Sequence, residues 1–163
     1  MVSDNDALEI FNHIVNTAKE LYEKDGFLEP VLFILKDKEM HIIPMHEVLQ
    51  DEESKEKGAF LLQFIINKLF PDLVALVCES NILMYNEIKK EWIHYDNAAH
   101  IFVEFINPQG NVKTYTHILV FDAKNKKIID EKREEITASE GRFSFLNNMV
   151  KMVNKSSNTD ELQ

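Results

Sequence analysis

Among 163 residues there is one cysteine, there are two arginines, and glycine and proline supply four each. Each scarcity removes a class of function. A lone Cys78 closes no disulfide within the chain and anchors no multi-cysteine zinc site, which fits a reducing, cytoplasmic setting. Four glycines leave little material for a phosphate-cradling loop. No Gly-x-Ser-x-Gly elbow and no His-Glu-x-x-His helix occurs either. With Arg133 and Arg142 as the only arginines, bidentate reading of bases has few candidates, so no direct nucleic-acid binding is expected. The opening Met-Val-Ser-Asp-Asn-Asp is acidic and polar, unlike a secretion signal, and no apolar run approaches the ~18 residues of a bilayer span. No membrane partner is expected.

What is present is acid and apolar residues in ordinary proportion. Twenty-eight carboxylates against 18 basic side chains leave a net charge of −10, and 45 % of residues are hydrophobic. A chain of this length buries about 70 % of its unfolded surface as one unit. Residues 1–154 read as a single domain, and the polar residues 155–163 as a disordered tail.

Periodicity orders the elements. Ala7, Ile10, Phe11, Ile14, Val15, Ala18, Leu21 and Tyr22 recur at helical spacing across 4–24, with Asp4 or Asp6 as a cap and Asp25-Gly26 as a stop. Glu29–Lys36 and Met40–Met45 read as a hairpin whose second strand lies at an edge, because Pro44 lacks an amide donor. A helix follows over about 54–70, stopped by Pro71. Leu73–Cys78 is apolar on both faces, as a covered central strand must be. Residues 79–97 show no clean period and read as irregular. Strands at 98–106 and 112–122 flank the turn Asn107-Pro-Gln-Gly-Asn111. Another strand runs from Lys127 to about Arg133, after a tip carrying Lys124 and Lys126. Thr137-x-x-Glu140 is a capping box for a last helix carrying Phe143, Leu146, Met149, Val150 and Val153. The class is α+β: a mainly antiparallel sheet of five to six strands flanked by three helices, in a roadblock- or profilin-like element order.

Chemistry concentrates in 79–97. Glu79 ends a central strand, while His94 and Asp96 precede the next. An antiparallel pairing would bring the two carboxylates and the imidazole to one end of the sheet, a set suited to acid–base work. The plainer role for such residues is to hold loop backbone. Tyr85, Trp92 and Tyr95 share the segment and suit a protein interface, or a loop pinned by its own side chains. His41, His100 and His117 on predicted strands would suit zinc only if they converged; isolated histidines are the simpler reading, and no metal or cofactor is expected. Cys78 reads as a small core residue before it reads as a nucleophile with His94 or His117 as its base.

The stretches Asp25-Gly-Phe-Leu-Glu-Pro-Val-Leu-Phe33, Val74-Ala-Leu-Val-Cys-Glu-Ser80 and His94-Tyr-Asp96, leading into Ile101-Phe-Val-Glu-Phe105, resemble a family of small proteins of unknown function from bacteria, archaea and their phages. Its motifs are Gly-aromatic-Leu-x-Pro-Val after an N-terminal helix, a strand ending Ser-Glu-Ala-Trp, and a Ser-Glu-His-Pro-Asp-Arg loop. The resemblance spans about residues 7–122 and matches Glu79, His94 and Asp96 to the family's Glu, His and Asp. Ser80-Asn81, Tyr95 and Asn97 depart from it.

These readings point first to a non-enzymatic interaction or accessory protein of phage or mobile-element origin, with a protein partner and a homodimer as candidate states. The alternatives are a small hydrolase using Glu79, His94 and Asp96, and an acidic mimic of nucleic acid built on the carboxylates at 51–56 and 130–135.

Overall fold

In the computed structural model, which describes residues 1–136 and 144–161, α1 (Asp4–Asp25) forms because its apolar residues make one stripe. Ala7, Phe11, Ile14, Val15, Ala18 and Tyr22 are buried. Ser3, rather than Asp4 or Asp6, is the cap: its hydroxyl oxygen accepts from the Asp6 amide at 3.1 Å. The two aspartates stand in the first turn, where the helix dipole favours negative charge. Gly26 takes φ 79° and donates its N–H to the Tyr22 carbonyl, closing the helix in the left-handed conformation that glycine adopts without strain.

β1 (Val31–Lys36) and β2 (Glu39–Pro44) form the predicted hairpin. Asp37 and Lys38 at its turn both have positive φ, the twist that two-residue hairpins require. α2 (Glu52–Leu69) starts on the Asp51 side chain, which accepts from the Ser54 amide at 2.7 Å. β3 (Leu73–Asn86), β4 (Glu91–Ile106), β5 (Val112–Asp122) and β6 (Lys127–Ile136) complete a six-stranded antiparallel sheet in the order β2-β1-β3-β4-β5-β6. β2 is an edge, as Pro44 requires. α3 (Phe145–Glu161) closes the chain, and its backbone is helical past residue 154, where the domain was expected to end.

Helices cover both faces of the sheet's inner part, which is why Leu73–Val77 of central β3 is apolar on both sides and buried. α1 packs with Leu73, Ala75, Val77, Ile101, Val103 and Phe105 on one face. α2 and α3 pack with Leu32, Ile34, Val74 and Leu76 on the other. Thr137 and Glu140 lie outside the described residues. The first turn of α3 is held from the sheet instead. Buried Glu104 of β4 accepts from the Leu146 amide at 2.6 Å, the Asn147 amide at 3.0 Å and the Asn147 side chain at 3.1 Å. Burial pushes the Glu104 carboxyl upward, against the pull of these three bonds.

One expectation is overturned. Residues 79–97 are not irregular; they are the outer halves of β3 and β4. The register runs Ile82↔Tyr95, Leu83↔His94, Met84↔Ile93 and Tyr85↔Trp92, past an irregularity between Ser80 and Ile82. Large apolar residues occupy both faces of this ribbon, so alternation does not show in the sequence. Its tip has no glycine or proline. Asn86 makes the turn, its side-chain oxygen accepting from the amides of Ile88 and Lys89 at 3.0 and 2.9 Å.

Candidate functional site

The ladders with neighbouring strands stop where the ribbon begins. β1 pairs with β3 only as far as Val77, and β5 pairs with β4 only as far as Ala98. Residues 82–86 and 91–95 therefore pair with each other alone. They form an arm about 16 Å long, before its turn, at 3.3 Å per residue.

The arm sorts the sequence-predicted residues. Tyr85 and Trp92 face each other edge-on with ring centroids 5.4 Å apart. Tyr85 is 42 % exposed, Trp92 64 %, Leu83 on the same face 58 %, and Ile88 at the tip 94 %. Tyr95 pairs with Ile82 on the opposite face and is half-buried, so the three aromatics do not act as one patch.

The acid–base set divides likewise. His94 Nδ1 lies 3.1 Å from Asp96 Oδ1, both side chains well exposed. Glu79 accepts from the Leu28 amide at 2.7 Å, tying the end of the α1–β1 connection to the base of the arm. Its register partner is Ala99, whereas His94 pairs with Leu83, four residues or about 13 Å further along β3. No described hydrogen bond or ion pair joins Glu79 to His94 or Asp96. The arrangement holds backbone at Glu79 and a surface pair at His94–Asp96.

The other histidines and the thiol do not converge. Cys78 is opposite His100 and packs toward α2 and α3, while His117 packs against Phe11 of α1 on the other face. His41 lies on the β2 edge. Burial pushes the Cys78 thiol up to about 11, the reverse of an activated nucleophile. Among the described residues no three His, Cys, Asp or Glu side chains gather as a metal site. No described helix is long and apolar enough to cross a membrane. The acidic clusters are interleaved with lysines: Lys57–Glu53 is 2.7 Å, and Lys19–Glu131 and Lys132–Glu134 are 3.0 Å each.

Two features escaped the sequence reading. His117 is the centre of a network that fastens α1 to the last two strands. Its Nε2 lies 2.9 Å from Glu131, and its Nδ1 accepts from Arg133 Nε at 3.1 Å. Arg133 also bonds Asn12 and lies over the Phe11 ring. The second feature is a groove of about 470 Å³ beside α1. α1 lies nearest β4, β5 and β6, and an open space remains between it and the outer part of β1. Ile14, Ala18 and Leu21 form the helix wall, and Val31, Phe33 and Val77 form the floor. Asp25 and Glu29 are its charged residues, His13 also lines it, and no lysine or arginine does. Helix spacing flags Leu21 as apolar, but only the packing shows it lining an open space.

No family model, curated protein or solved structure matches this chain at a significant level.

Proposed function

We propose that this chain is a non-enzymatic protein-interaction module whose working surface is the outer β3–β4 ribbon. The observation that carries the reading is the exposure of Leu83, Tyr85, Trp92 and Ile88 on an arm with no sheet neighbour. Tryptophan and tyrosine give large contact area with few rotors to freeze, which is why they anchor interfaces. Removing such apolar area from water favours association by roughly 25 cal/mol per Å². On this reading the chain has an accessory role in a phage or mobile-element setting.

The test is affinity capture from a lysate of the source cell with wild-type, Trp92→Ser and Leu83→Ser chains, read by quantitative mass spectrometry. Proteins enriched by the wild type and lost from both variants support the reading. Equal enrichment by all three removes it. A hydrolase centred on Glu79, His94 and Asp96 would instead show turnover on an ester or phosphoester panel that His94→Ala abolishes.

A further inference from the structure

α2 carries two apolar stripes, and the fold uses one. Ala59, Leu62 and Ile66 are buried, the last two within the apolar layer shared with α3. Phe60, Leu61 and Phe64 are 79 %, 59 % and 56 % exposed. At about 100° per residue, Phe64 stands roughly 200° around the helix from Ile66, on the side away from the core. Lys57 and Lys68 share that side, one turn before the stripe and one turn after it. The Lys68 ammonium lies 5.5 Å from the centroid of the Phe64 ring.

Charge along α2 is polarised. From Asp51 to Lys57 four carboxylates, Asp51, Glu52, Glu53 and Glu56, stand against Lys55 and Lys57, and Glu47 precedes them. From Gly58 to Phe70 the one charged residue is Lys68. The groups around that end do not reverse its sign. Lys36 Nζ donates to the Phe70 carbonyl at 2.9 Å, Lys38 adjoins Asp37, and Asp72 lies 3.0 Å from the ammonium of Met1. α3 meets α2 there, the Asn67 side chain donating to Met152 Sδ at 3.4 Å, and the charged residues nearest Met152 in sequence are Lys151 and Lys155. One exposed face thus runs from acid through apolar to base.

We infer that α2 pairs antiparallel with α2 of a second copy, about a two-fold axis beside Phe60 and Leu61. In that register Phe60 meets Leu61 of the other copy, Phe64 meets the stem of its Lys57, and Lys68 meets its Glu53. These partners fall at equal heights along opposed helices, and each contact is made twice. Glu53 Oε1 holds Lys57 of its own helix at 2.7 Å, and Oε2 takes the second cation. Opposed helices also set the positive dipole end of each beside the negative end of the other. A parallel pair would set acid on acid. The second copy is the occupant because a single surface carries both halves of the complement, as a two-fold contact needs. A net charge of −10 and an acidic helix start disfavour an anionic lipid surface in that place. The paired stretch from Glu53 to Lys68 is about 22 Å long, a small interface of the weak and reversible class. Self-pairing through α2 is separate from the ribbon, and the dimer presents two arms.

Sedimentation velocity on the full chain tests it, over a concentration series reaching roughly 1 mM so that a weak pair registers. The wild type is expected to approach twice 19.0 kDa as concentration rises. Lys68→Glu sets acid against Glu53 at both contacts, and Glu53→Lys sets base against Lys68 at both. Each variant alone is expected to dissociate at least about tenfold more readily, since two ion pairs become repulsive. Mixed in equal amounts the two variants restore opposite charge at both contacts, and a heterodimer about as stable as the wild-type dimer is expected. Phe64→Ser is expected to stay monomeric. Far-UV spectra matching the wild type confirm that these surface changes leave the fold intact. A wild type that stays monomeric throughout overturns the pairing, as does a dimer that none of the variants weakens, or two charge variants that do not combine. A monomer that instead floats with phosphatidylcholine vesicles assigns the face to lipid and equally overturns it. Trp92→Ser is expected to dimerise as the wild type does, and Phe64→Ser to keep the proteins the ribbon captures, so the two readings fail separately.

Discussion

Cys78 and His117 show how strongly burial governs single groups. The thiol packs beside the apolar layer under α2 and α3, and its value of about 11 stands two units above the ordinary 9.0. About a hundredfold less thiolate follows at neutral pH, since each unit is a factor of ten. Alkylation by iodoacetamide is therefore expected to run on the order of a hundredfold slower in the folded chain than in urea; comparable rates would contradict it. His117 is held below its usual value first by burial, and Arg133 donating to Nδ1 adds to this, against the pull of Glu131. Burial lowers His100 as well. An imidazole harder to protonate in the folded than in the unfolded chain stabilises the fold above its unfolded value. That stability is lost as pH falls from about 6.5 through the folded value. Urea midpoints should therefore drop on acidification across that window. Replacing both His117 and His100 with glutamine should flatten the dependence there. An unchanged slope would sink this account.

At the level of elements, two contacts decide where helices lie. Gly58 in α2 meets the connection after β2: a Cβ there would overlap the methyls of Val48. Alanine normally strengthens a helix by about 1 kcal/mol over glycine. Here the overlap should dominate, and Gly58→Ala is expected to lower stability by about 1–2 kcal/mol in chemical unfolding. Glu104 is the second contact. Glu104→Ala leaves the buried Leu146 amide unpaired and should cost about 1–3 kcal/mol, with amide exchange at Leu146 and Asn147 accelerated well before the sheet opens. The helical stripes, the hairpin, the edge strand and the strand at 112–122 were legible from period, stop signals and turn residues, while the α1 cap fell on Ser3 instead of Asp4 or Asp6 and the Thr137-x-x-Glu140 box lies outside the described residues. The outer ribbon was not. Its alternation is masked because Leu83, Tyr85 and Trp92 are apolar on the face that water sees, and its tip turns on an asparagine side chain. Glu104 was equally hidden, since nothing local to Glu104 marks it as the cap of a helix forty residues later.

Over the whole molecule, one helix lies over only part of a sheet face six strands wide, and what remains is a groove. The exposed apolar residues on the arm lie outside the core, so Trp92→Ser should cost no more than its edge-on contact with Tyr85, about 1 kcal/mol of unfolding free energy, while abolishing capture. A large loss of stability would instead place Trp92 in the fold's support.

The residues alone determined the class, the element order, the edge position of β2 and the buried character of Leu73–Cys78, because propensity, period and capping act over a few neighbours. They also picked out 79–97 as the segment to watch. Only the tertiary structure decided how that segment is built. Register placed Glu79 about 13 Å along the ribbon from His94 and turned Tyr95 away from Trp92. Sheet width against helix width opened a groove that Asp25 and Glu29 flank. Such outcomes depend on which strands end first and which face a helix reaches, and those are set by contacts between residues far apart in the chain.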